Sequence, residues 1–150
     1  NMLDETLAFR IKEMIAGALE YADGSALDEV FAFGFMEDGV RFFQAFFRKD
    51  SQVFTWADLP GMDVSAERQG LLSKFGLNQI IEMSNVALTE NSPGPTVIKA
   101  RYDVRADRLT SEISDEPQLD PDDLDRSWHD VAHEWFEQLR DEARSGSAGR

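Results

Sequence analysis

The stretch Val30–Trp56, VFAFGFMEDGVRFFQAFFRKDSQVFTW, decides how this 150-residue chain folds. Phe31, Phe33 and Phe35 alternate with Val30, Ala32, Gly34 and Met36, the period of two expected of a strand over 28–36. Glu37-Asp38-Gly39 reads as a hairpin turn, since glycine takes the positive φ that such turns require. A second strand over 40–48 carries Phe42, Phe43, Phe46 and Phe47. Lys49-Asp50-Ser51 turns the chain again, and Val53, Phe54 and Trp56 make a short third strand. The result is an antiparallel meander with apolar residues on both faces. Eight of the eleven phenylalanines lie in this stretch. Rings at that density form a sheet buried under helices, because each contributes a large apolar area; a ligand pocket lined by the same rings is the alternative.

Outward from the meander, residues 3–21 place Leu3, Leu7, Ile11, Met14, Ile15 and Leu19 at helical spacing, with Asp4 and Glu5 at the positive end of the helix dipole and Asp23-Gly24-Ser25 as the stop. After a loop at Leu59-Pro60-Gly61, residues 65–90 read as helical. Gly70 and Gly76 weaken a continuous helix, and a break near Gly76 is expected to divide it into two. Ser92-Pro93-Gly94-Pro95 ends that region. TVIKARYDV (96–104) alternates cleanly, with Ile98, Ala100, Tyr102 and Val104 on one face and Val97, Lys99, Arg101 and Asp103 on a face at least partly wet. Arg105-Ala106-Asp107 turns into a strand over 108–114, with Leu109 and Ile113 on one side. A last helix is expected to start with Asp120 as N-cap, Pro121 in the first position and Asp122 and Asp123 complementing the dipole, with an apolar stripe of Leu124, Trp128, Val131, Trp135 and Leu139. The expected fold is a single α+β domain over 1–144, a mostly antiparallel sheet of about five strands covered by N-terminal, central and C-terminal helices. Residues 145–150 read as a flexible tail, and Met2 as the native start.

Composition narrows the function. Hydrophobic residues at 42% and charged residues at 29% are in the globular range. No apolar run is long enough for a membrane span, and no basic segment followed by an apolar one suggests a secretory signal. The absence of cysteine removes disulfides, thiolate metal sites and cysteine nucleophiles. A net charge of −14 disfavours binding to nucleic acid or anionic lipid. It fits either plain solubility or a basic protein partner.

His129-Asp130-Val131-Ala132-His133 differs by one acid from the HExxH helix motif of zinc peptidases. Histidines four apart are neighbours on a helix. These are the only two, however, no spacing nominates a third ligand, and Asp130 stands where the motif has its general base. The reading is an edge pair on the last helix, structural or in contact with a partner. No metal or cofactor is expected. Nucleophile-elbow and phosphate-loop motifs are absent, and the chain reads as a non-enzyme.

From Glu112 to Asp130 the chain places eight acids against Arg126 alone. Helix capping covers Asp120, Asp122 and Asp123; it leaves Glu112, Asp115, Glu116, Asp125 and Asp130 unexplained. Close like charges repel at a cost in stability. The surface expected to dock a basic partner is therefore Glu112, Asp115, Glu116, Asp122, Asp123, Asp125 and Asp130, with His129, His133 and Phe136 at its edge.

The N-terminal amphipathic helix, the hairpin VFAFGFMEDGVRFFQAFF, the strand pair PTVIKARYDVRADRLTSEIS and the final DRSWHDVAHEWFEQL together resemble the YezG-like immunity proteins of bacterial polymorphic toxin systems, over most of residues 3–140. The resemblance implies a cytoplasmic antitoxin that binds a cognate toxin, here a basic one, and occludes its active site without chemistry of its own. It carries over no binding residue by position, since each such surface fits its own toxin. The alternatives are a small-molecule-binding or enzymatic α+β domain with a pocket in the aromatic sheet, and an acidic adaptor or chaperone.

Overall fold

A computed structural model describes residues 1–23 and 26–148. Its elements are α1 (Met2–Tyr21), β1 (Glu29–Glu37), β2 (Val40–Lys49), β3 (Gln52–Thr55), α2 (Ala66–Thr89), β4 (Val97–Asp103), β5 (Arg108–Ser114) and α3 (Trp128–Ala148). The five strands form one antiparallel sheet in the order β3-β2-β1-β4-β5, the α+β arrangement expected. Of the stop signal after α1, Gly24 and Ser25 lie outside the described residues. The β1–β2 turn has Asp38 and Gly39 both at positive φ (52° and 79°), the geometry that matches the twist of the flanking strands. Trp56 lies one residue beyond β3.

The two faces of the sheet differ in the size of their side chains. Ala32 on β1 stands between Ala45 on β2 and Ala100 on β4, and Gly34 stands between Phe43 and Ile98. This row of small residues lets α1 and α2 press close. Met14 and Ile80 reach to within ordinary contact of the space beside Gly34. The opposite face presents Phe31, Phe33, Phe35 and Phe46, on which α3 lays Val131, Ala132, Trp135, Leu139 and Ala143. Six of the meander's phenylalanines are essentially inaccessible, while Phe42 and Phe54 are half-buried against their clusters. Each buried ring stabilises by roughly 1.5–3 kcal/mol, which makes the meander the centre of the core.

Three expectations fail. The central helix does not break at Gly76: α2 is continuous over its 24 residues. Gly76 faces the sheet where the Phe43 ring already occupies the space of a β-carbon, so packing holds the helix together and outweighs the glycine penalty of about 1 kcal/mol. The last helix does not begin at Asp120 but at Trp128. Leu124, assigned to its apolar stripe, is 93% exposed in the loop before it. At the far end α3 runs through Ala148, so most of the segment read as a tail is helical; residues 149–150 lie outside the described residues. The remaining stripe residues, Trp128, Val131, Trp135 and Leu139, do face the core.

Candidate docking surface

The segment 115–127 crosses one end of the sheet, from β5 past the ends of β4 and β1 to β2. Thr96, just before β4, donates its hydroxyl toward the carbonyls of Ser114 (3.1 Å) and Glu116 (2.6 Å). Glu37, the last residue of β1, accepts the backbone N–H groups of Gln118 (2.7 Å) and Leu119 (3.0 Å) on its two carboxylate oxygens. Leu119 packs against the phenylalanine face, and the Trp128 ring lies 4.3 Å from that of Phe42 on β2. Arg126 pairs with Glu134 and donates to the Gln118 carbonyl (3.3 Å). Both ends of the segment are thus fixed to the scaffold.

Between these anchors lies Asp120-Pro121-Asp122-Asp123-Leu124-Asp125. Asp120 accepts the N–H of Asp122 (2.9 Å) and Asp123 that of Asp125 (3.2 Å), two local turns in which aspartate side chains satisfy the backbone in place of helix. The expected capping roles of Asp120, Asp122 and Asp123 are therefore absent. Helix α3 is capped instead by Ser127 and Asp130: the Ser127 hydroxyl accepts the N–H of His129 (3.2 Å), and the Asp130 carboxylate accepts the N–H of Ser127 (2.8 Å). This accounts for Asp130, which composition left unexplained. That backbone hydrogen bond holds the Asp130 carboxyl below its ordinary range; the hydrogen bond from Arg126 does the same for Glu134.

Asp115, Glu116, Asp122, Asp123, Leu124 and Asp125 are exposed, and the carboxylates of Asp115, Glu116, Asp122 and Asp125 accept no protein hydrogen bond among the described residues. Glu112 stands apart from them, on the α3 side of β5 and directly opposite Lys99. His129 and His133 are exposed on α3, their rings nearly parallel (6°) and 6.5 Å apart, with the Glu137 carboxylate 3.8 Å from His133 Nε2. Phe136 is half-buried, 4.9 Å from Phe46 and 6.4 Å from His133, with the Arg140 guanidinium over its ring. Among the described residues no group of three or more histidine, aspartate or glutamate side chains is placed to hold a metal ion, and no helix is long and apolar enough to cross a membrane.

Glu37 and Arg126 are the residues that sequence reasoning missed. In the sequence Glu37 is part of a turn signal and Arg126 is the lone opposing charge. Their partners lie 81 and 8 residues away, and local patterning carries no signal of either. A separate open hollow of about 290 Å³ lies between α1 and α2, lined by Gly17, Tyr21, Leu71, Leu72 and Phe75. No protein-family model matches the chain, and no curated protein is a significant match to it.

Proposed function

We propose that this protein is an immunity-type binding protein that docks a basic partner enzyme in the cytoplasm, covering that enzyme's cationic active site and performing no reaction itself. One observation carries the reading: an acidic loop is held at both ends by Glu37, Arg126 and the Ser127–Asp130 cap, yet among the described residues the carboxylates of Asp115, Glu116, Asp122 and Asp125 accept no hydrogen bond from the protein. Carboxylates engaged inside a protein would be capping or pairing; these face solvent on a preorganised backbone. Such an arrangement lowers the ordering cost of association, and its charge raises the rate of encounter with a positive surface. Leu124 adds an apolar contact in the middle of the loop, and His129, His133 and Phe136 continue the surface along α3. The resemblance to YezG-like immunity proteins supports the same role.

The test is association kinetics with the product of the neighbouring toxin gene. Wild type should bind tightly, with an on-rate that falls steeply as salt is raised. The triple variant Asp122→Lys, Asp123→Lys, Asp125→Lys should associate at least about tenfold more slowly at low salt with its fold intact. An unchanged on-rate would remove the loop from the interface, and a melting shift with a small metabolite but no binding to any encoded neighbour would favour a pocket protein instead.

A further inference from the structure

The two edges of the sheet are not alike. Strand β3 is four residues long and its buried Val53 lies under α3. Strand β5 is seven residues long, contains no proline, and pairs with β4 on one side only. Among the described residues its outer row of backbone N–H and C=O groups has no partner, a template for another strand.

The side chains of β5 are self-complementary about its midpoint. Leu109, Ser111 and Ile113 share the α1 face of the sheet, and Arg108, Thr110, Glu112 and Ser114 share the other. A second β5 laid antiparallel with the two-fold axis at Ser111 overlaps all seven residues. Leu109 then stands opposite Ile113 of the second copy, and Thr110 opposite Glu112. Arg108 lies diagonal to Glu112 on each side of the axis, within reach of so long a side chain. Among the described residues neither Arg108 nor Glu112 holds an ion pair within 4 Å in its own chain. Ile113 is 45% exposed and borders a hollow of about 260 Å³ with Leu3, Leu7, Pro93 and Pro95, where Leu109 of the second copy would add apolar cover. This strip is locally balanced in charge on a chain of net −14, so its complement is its own mirror pattern and not a basic surface.

We infer that β5 pairs edge to edge with β5 of a second copy, joining two five-stranded sheets across a two-fold axis. The interface is separate from the acidic loop, and the two can fail independently. Sedimentation velocity of the full chain up to about 500 µM should show a reversible species of twice 17.0 kDa. R108E and E112R should each weaken dimerisation at least about tenfold, because each places like charges across the axis. An equimolar mixture of the two variants should restore the dimer, since a mixed pair sets opposite charges together at both positions. Circular dichroism of each variant keeps misfolding from imitating the result. A wild type that stays monomeric over the whole range, or a dimer indifferent to both charge reversals and to their mixing, would overturn the proposal.

Discussion

The ring of Phe43 on β2 lies against the backbone of Gly76 on α2 so closely that no β-carbon fits between them. A glycine that looks like a helix breaker is thus the point where helix and sheet come nearest. Gly70, six residues earlier in the same helix, has nothing within 4 Å of where its β-carbon would be.

Gly76→Ala and Gly70→Ala should therefore move stability in opposite directions. The first must displace a ring that is 1% exposed, an overpacking of roughly 1–3 kcal/mol that exceeds the gain in helix propensity. The second should stabilise by up to about 1 kcal/mol. Urea denaturation of both variants checks this, and a stabilised Gly76→Ala would show that the Phe43 contact is looser than described.

Trp135 is the centre of the second core, with Phe31, Phe33 and Phe46 rings all about 6 Å from its own. Trp135→Ala should cost roughly 3–5 kcal/mol. Because α3 rests on the sheet through this cluster, amides of α3 should lose hydrogen-exchange protection before those of α1 and α2. Uniform loss across all three helices would contradict two separate clusters.

Ser127→Ala should destabilise by about 1 kcal/mol through loss of the α3 cap, whereas the three lysine substitutions in the loop should cost less, since they remove only the exposed turn bond that Asp123 accepts from the Asp125 N–H. The cap also predicts an acid response. Asp130 and Glu134 have folded-state values lowered by hydrogen bonds, so their contribution is full above the ordinary carboxylate range of about 4 and is lost as pH falls through the lowered values. Replacing Asp130 by Asn should flatten the acid limb of the stability profile. An unaltered limb would rule out its role in capping.

Glu37→Ala should release the acidic segment while leaving the sheet formed. The readout is exchange of the Gln118 and Leu119 amides, which donate to Glu37. Both should exchange at least about tenfold faster, with β1 and β2 amides little changed. If their protection survives, the loop is held by other contacts.

The sequence alone determined the order of helical and strand regions and the α+β class, though it divided the central helix in two, because alternation, helical spacing and turn residues are local properties. Alternation also named the two faces of β1 and of β4. Tertiary structure decided three things that local patterning could not. Whether α2 broke at Gly76 depended on Phe43, a residue on another element. Where α3 began depended on competition between an attractive local signal, Asp120-Pro121, and the Ser127–Asp130 cap together with the packing of Trp128 on Phe42. Whether the acids formed a surface depended on Glu37 and Arg126, whose partners are joined to them only by folding. Propensity and periodicity act within a few residues, whereas anchoring and packing act between residues that the chain brings together from far apart.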